Sequence, residues 1–178
     1  GIQTKYTTAQ GLSNNSVHAL CRDPADDGSI WIGTWGGGLN RLRDGKFTHF
    51  TTKDGMLSAI VTSVIPDISA DGSLWIGTWG GLNRFNRSTN TFKSYKHNPT
   101  DPLSLSHNRV LSLLQDRTGA IWAGTDEGLD KFDKSTGTFV HYKHSSADTT
   151  TLSNNAVNVL LEDHKVENDK DSAQDRKS

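Results

Sequence analysis

The stretch IWIGTWGGGLNRL at residues 30–42 returns as LWIGTWGGLNRF at 74–85 and again as IWAGTDEGLDKF at 121–132. The tryptophans of the three copies, Trp31, Trp75 and Trp122, stand 44 and 47 residues apart. A second marker, Leu-Ser followed by a polar pair and a valine-rich run, begins at Leu12, Leu57, Leu105 and Leu152, in steps of 45, 48 and 47. Two independent markers with one period identify a repeat architecture, in which each unit buries its apolar faces only against its neighbours.

Each period reads as four short strands. The first is an apolar run, Ser16–Leu20, Val61–Ile65, Val110–Leu114 or Val157–Leu161, whose continuous hydrophobicity predicts cover on both faces. The second is the Trp strand, with Ile30 and Ile32 on one side and Trp31 on the other. The third is Gly-Leu-Asn-Arg-Leu/Phe, and the fourth is aromatic: Phe47–Phe50, Phe92–Tyr95 and Phe139–Tyr142. Turn signals separate them: Asp26-Asp27-Gly28, Asp71-Gly72 and Thr118-Gly119 after the first strand, Asp44-Gly45, Ser88-Thr89-Asn90 and Ser135-Thr136-Gly137 after the third. Four antiparallel strands at this period predict an all-β fold of β-propeller blades. Stacked helical pairs share the period, but Gly-Thr-Trp-Gly-Gly would fall inside a helix, where each glycine costs about 1 kcal/mol.

Counting strands predicts an incomplete ring of three full blades plus two partial ones. Residues 1–8 supply the last strand of a preceding blade, with Tyr6 at the aromatic position; 9–52, 53–98 and 99–145 are blades one to three; 146–163 supply the first strand of a further blade. After Asp163, where another Trp strand is due, the chain reads HKVENDKDSAQDRKS, eight of its 15 residues charged, and 164–178 is expected to be a disordered polar tail. The start, Gly1-Ile2-Gln3-Thr4, shows neither an initiator Met nor a signal pattern, so the chain reads as a piece of something larger. An open arc of blades exposes faces and edges, so the isolated chain is expected to be marginal, aggregation-prone or closed by self-association.

Composition fits this reading. Of 178 residues 33% are hydrophobic, low for a globular domain, yet 17 glycines and 5 tryptophans are not the composition of a disordered polymer. With 19 basic against 20 acidic residues the net charge is −1, which gives no concentrated positive field for nucleic acid or a membrane surface. The single cysteine, Cys21, reads as a small buried residue beside strand positions.

WIGTWGGGLNR and WIGTWGGLNR, with the Leu-Ser marker before them, resemble the two-component regulator propeller repeats, whose pattern is close to LSxNxVxxLxxDxxGxLWIGTxxGGLNRFD followed by an aromatic strand. The resemblance covers about residues 1–163. It departs from the pattern at Ala123, at Asp126-Glu127, where blades one and two carry Trp-Gly, at Ala59-Ile60, which replaces the polar pair, and in the missing Trp strand of the fourth repeat. The resemblance implies a periplasmic sensor region of a bacterial hybrid two-component system, a parent protein in the inner membrane with a histidine kinase absent from this chain, and a polysaccharide fragment as stimulus.

Strand parity in a meander returns the second-to-third loop and the fourth-to-first connection to one rim. On it are expected Asn14, Asn15, Trp35, Trp79, His107, Asn108, Asp126 and Glu127, together with Asn154 and Asn155. Aromatic faces beside amides suit a carbohydrate, the ring covering the apolar side of a sugar and the amides answering its hydroxyls. The structural alternative makes Trp35 and Trp79 wedges between blades and the Asn residues caps of their own turns. Trp31, Trp75 and Trp122 are expected in the core, and Arg41, Arg84 and Lys131 to pair with a neighbouring blade's acid. The seven histidines show no metal-binding spacing, and Asp133–Gly137 reads as a hairpin turn rather than a calcium loop. No metal, no cofactor and no catalytic residue is expected. The leading expectation is a sensory, ligand-binding propeller segment whose partners are an oligosaccharide and a second copy of the chain, with no nucleic acid and no direct membrane contact. The alternatives are a protein-interaction module without a small ligand and, third, a propeller lyase or glycosidase, for which only Asp126 and Glu127 offer carboxylates.

Overall fold

The computed structural model describes residues 3–22, 28–68 and 72–163. The tail 164–178 and three residues of the predicted turns, Asp26, Asp27 and Asp71, lie outside the described residues.

Among the described residues twelve strands form three four-stranded antiparallel sheets. Blade one holds β1 (Val17–Arg22), β2 (Ile30–Thr34), β3 (Gly38–Arg43) and β4 (Lys46–Phe50). Blade two holds β5 (Val61–Pro66), β6 (Leu74–Thr78), β7 (Gly81–Asn86) and β8 (Thr91–Tyr95). Blade three holds β9 (Val110–Gln115), β10 (Ile121–Thr125), β11 (Gly128–Asp133) and β12 (Thr138–Tyr142). Strand order within each sheet is chain order, the simple meander the repeat predicts. Each first strand carries a bulge at the same place, between Val17 and Ala19, between Val61 and Ser63, and opposite Gly124 and Thr125. Beyond the sheets, residues 3–7 and 157–163 belong to no ladder among the described residues.

The bonds that dock each blade-opening loop correct the sequence register of blade two. Ser13 N–H donates to Asn40 Oδ1 at 3.0 Å, Leu57 N–H to Asn83 Oδ1 at 3.1 Å, and Ser106 N–H to Asp130 Oδ2 at 2.8 Å. Leu57 therefore takes the place of Ser13 and Ser106, and buried Met56 takes that of Leu12 and Leu105. The Leu-Ser of blade two is a chance echo one residue out of phase, and the residues that replace the polar pair are Ser58-Ala59.

Each blade is completed by the one after it. The glycine of WIGT is required by this contact: a Cβ on Gly33 would lie 2.5 Å from Val61 Cγ1, and one on Gly77 would lie 2.9 Å from Val110 Cγ1. Trp31 is 1% exposed and meets Phe85 of blade two edge-on at 5.7 Å; Trp75 is fully buried and meets Phe132 of blade three at 5.0 Å. Arg41, Arg84 and Lys131 lie over the tryptophan of their own blade at 5.6, 5.5 and 5.1 Å, a cation–π contact their cross-strand pairing enforces. Among the described residues Arg84 pairs with Asp67, an acid of its own blade, at 3.3 Å. Asp67, its side chain fully buried, also accepts the Trp75 indole N–H at 2.9 Å and reaches blade three through Lys134 Nζ at 2.9 Å and Gln115 Nε2 at 3.1 Å. A buried carboxylate held by two cations and two neutral donors is a satisfied one.

Candidate ligand-contact rim

The residue after each WIGT threonine is pinned beside the start of the first strand. Trp35 N–H donates to Ser16 O at 2.9 Å and Trp79 N–H to Ile60 O at 3.2 Å. Blade one has one more glycine in this turn, and the longer turn crosses to blade two, where Gly36 N–H and Gly38 N–H both donate to Ala59 O at 3.1 and 2.8 Å. The Trp35 and Trp79 rings consequently meet edge to face at 4.5 Å and 78°. The His18 ring lies 4.9 Å from that of Trp35, and the Arg109 guanidinium lies over Trp79 at 4.3 Å. Arg109 Nη1 is 2.6 Å from Asp126 Oδ2.

His18, Trp35, Trp79, Arg109 and Asp126 thus form one continuous line across three blades. His107 Nδ1 stands 3.9 Å from the same Asp126 oxygen, but it accepts the Arg109 backbone N–H at 3.1 Å. That nitrogen carries no proton, so His107 is a neighbour of Asp126 rather than its ion partner. Trp35 is 37% exposed, and Trp79, Arg109 and Asp126 are half-buried.

Of the predicted site residues, Trp35, Trp79, His107 and Asp126 come together, and the asparagines serve the loops. Asn14 Oδ1 accepts Ser16 N–H at 2.8 Å, as Ser58 Oγ accepts Ile60 N–H and Asn154 Oδ1 accepts Ala156 N–H. Asn15 Oδ1 accepts Thr8 N–H at 2.9 Å, Asn108 Oδ1 accepts His97 N–H at 2.9 Å, and Asn155 Oδ1 accepts His144 N–H at 2.7 Å. These amides close their own loops through their oxygens, and Asn15 Nδ2 also donates to Thr8 Oγ1 at 3.5 Å. Glu127 stands apart from the line, with its carboxylate 4.0 Å from Lys143 Nζ.

Two members of the line, His18 and Arg109, were not among the predicted residues. Arg109 could have been found once blade two was in phase: it occupies the position of Ser16 and Ile60, so a charge there interrupts the repeat. His18 occupies the bulge, where side-chain parity reverses and strand periodicity misleads.

Elsewhere the carboxylates are structural. Asp116 Oδ1 accepts the Thr118 hydroxyl at 2.6 Å and Asp116 Oδ2 the Trp122 indole N–H at 2.7 Å. These bonds, with the Ala120 and Thr118 backbone N–H groups, lower its pKa from an ordinary 3.8 to about 2 against a small opposing burial. Asp133 is lowered by the Ser135 hydroxyl and backbone N–H, and Asp148 by those of Thr150. Asp133 thus closes a hairpin turn. Among the described residues no group of three or more His, Cys, Asp or Glu side chains converges as a metal-ligand set would. No helix among them is long and apolar enough to cross a membrane.

Comparison with known proteins agrees with this geometry. The two component regulator propeller family matches at residues 11–36 and 104–127, the two stretches that open blades one and three. The extracellular domain of the hybrid two component system BT3049 of B. thetaiotaomicron superposes with a TM-score of 0.75 and 28% identity over 86% of this chain, which spans 21% of that one. The extracellular domain of the hybrid two component system BT4673 of the same organism gives a TM-score of 0.46 and 22% identity over 81% of this chain and 24% of that one. A structural genomics protein of unknown function from Bacteroides thetaiotaomicron gives 0.52 and 12% over 70% of this chain and 35% of that one, a likeness of fold. No curated protein matches. By its repeated motif and its blades, the chain carries repeats of the two component regulator propeller type, matched at residues 11–36 and 104–127.

Proposed function

We propose that this chain is a propeller segment of the extracellular, periplasmic part of a hybrid two-component receptor, and that the His18–Trp35–Trp79–Arg109–Asp126 line is where it meets its stimulus, a carbohydrate. The observation that carries the ligand reading is the perpendicular Trp35–Trp79 pair at 4.5 Å, one ring of which is 37% exposed on the rim. The exposed part of the Trp35 indole would pack on the apolar side of a pyranose, with hydroxyl-binding groups nearby in His18 and the amide Nδ2 of Asn14, 3.9 Å from where a Gly36 Cβ would be. Arg109 and Asp126 neutralise each other at 2.6 Å, which favours a neutral sugar over an anionic one.

A ligand bridging Trp35 and Trp79 touches blades one and two together. It would therefore act by favouring one arrangement of adjacent blades, the differential affinity a receptor needs to shift its signalling equilibrium. The test is calorimetric titration of a panel of neutral oligosaccharides into the chain and its Trp35→Ala and Trp79→Ala variants. Saturable binding weakened about tenfold or more by either variant supports the reading, a loss of about 1.4 kcal/mol or more. Binding indifferent to both variants, or none across the panel, contradicts it and leaves a protein-interaction module.

A further inference from the structure

Residues 156–163 follow the course of β9, one blade further on. Val157 N–H donates to Thr125 O at 2.9 Å and Ser112 Oγ donates to Val157 O at 3.1 Å. Val157 Cγ1 sits over Gly124, 2.8 Å from where its Cβ would be, as Val61 sits over Gly33 and Val110 over Gly77. At the other end Arg117 N–H donates to Glu162 Oε1 at 3.3 Å, repeating the bond from Ile68 N–H to Gln115 Oε1 that joins blade two to blade three. Arg117 Nη2 adds a bond to Asp163 O at 3.1 Å. The segment is seated at both ends like a blade's first strand.

It lacks that strand's ladder. β1, β5 and β9 each pair with a Trp strand, whereas among the described residues no backbone group of Asn158, Val159, Leu160 or Leu161 has a backbone partner. Val159 is 80% and Leu161 89% exposed, the two most exposed large apolar side chains described. An extended, apolar, unpaired edge is a template for another strand.

We propose that this edge pairs with the same segment of a second copy, antiparallel about a two-fold axis at Leu160. That register sets Val159 opposite Leu161, Asn158 opposite Glu162 and Val157 opposite Asp163. The exposed apolar residues, two apart on one strand, then form a single four-residue patch, and no like charges face each other. The end strands β1, β4, β5, β8, β9 and β12 of a second copy each hold one ladder partner already, whereas 158–161 has none among the described residues. The Trp strands β2, β6 and β10 are each flanked on both sides already, and Gln3–Tyr6 offers a lysine and a tyrosine that is packed on Phe47 at 5.7 Å. Pairing with 3–7 would moreover be head-to-tail and would propagate, whereas the two-fold contact stops at two.

Light scattering on the 178-residue chain at roughly 100 μM, where a micromolar contact is populated, tests this. A dimer is expected. The Val159→Lys/Leu161→Lys variant should weaken it about tenfold or more, with an unchanged melting temperature at dilutions where both chains are monomeric, because both side chains are solvent-exposed in one copy. A Leu160→Cys variant in a Cys21→Ser background should cross-link to its own kind under mild oxidation. A monomer throughout, species larger than two, or a dimer indifferent to the double lysine variant overturns the proposal.

Discussion

Trp75 and Trp122 occupy one position of the repeat and make the same bonds within their own blades, yet their surroundings differ. Trp75 donates its indole N–H to Asp67, lies under Arg84 and is closed off by Phe132 of the next blade, leaving it fully buried. Trp122 donates to Asp116 and lies under Lys131 in the same way, but the aromatic it meets is Tyr142 of its own blade at 5.6 Å. It remains half-buried on a groove of about 600 Å³ shared with Leu129, Tyr142 and Leu152. The difference teaches that a blade supplies half of its own core. The hydrogen bonds and cation–π stack are local, and the burial that makes them worth most comes from the neighbour.

The contrast can be broken most severely at the tryptophans. Trp75→Ala should cost about 3–5 kcal/mol in chemical denaturation, the range for a large aromatic removed from a closed core, and Trp122→Ala less than half of that. Equal losses would mean that the open face is as well packed as the closed one. A smaller effect separates the glycines. Gly77→Ala places a methyl against Val110, which β9 holds rigidly, and should cost about 1–3 kcal/mol by overpacking. At Gly124 a methyl would meet Val157 O and Ser112 Oγ, but the first belongs to a segment without a ladder and the second to a rotatable side chain, so the denaturation midpoint of Gly124→Ala should fall less.

The smallest effect is in acid. Asp116 is held at about 2, below its value in the unfolded chain, so its bonds stabilise the fold above pH near 4 and that contribution fades as pH falls through about 2. Asp116→Ala should lower the melting temperature at neutral pH, and the gap from the parent chain should narrow between pH 4 and pH 2 in melts at stepped pH. A gap independent of pH would mean that the carboxylate's charge is irrelevant to Trp122.

Much of this was legible in the sequence because a blade repeats its chemistry. WIGT with GLNR placed β2 and β3, and the glycine that Val61 and Val110 demand is visible as an unvarying letter. The phase of blade two was not legible, because Leu57-Ser58 imitates Leu12-Ser13 while Met56, as apolar as leucine, fills the pocket. The rim was half legible. Trp35 and Trp79 announce themselves, but that Asn14, Asn15 and Asn108 spend their oxygens on their own loops depends on backbone direction, which composition does not carry. Arg109 was hidden by the phase error and His18 by the bulge.

The most direct measurement is hydrogen exchange at the indole nitrogens of Trp75 and Trp122, resolved by NMR under conditions where the chain is folded. Both N–H groups donate to a carboxylate, so the bond alone predicts equal protection. If each blade is completed by the one after it, Trp75 exchanges only with global unfolding, and Trp122 exchanges faster by local opening of the face beyond blade three. Equal, slow exchange at both would contradict it.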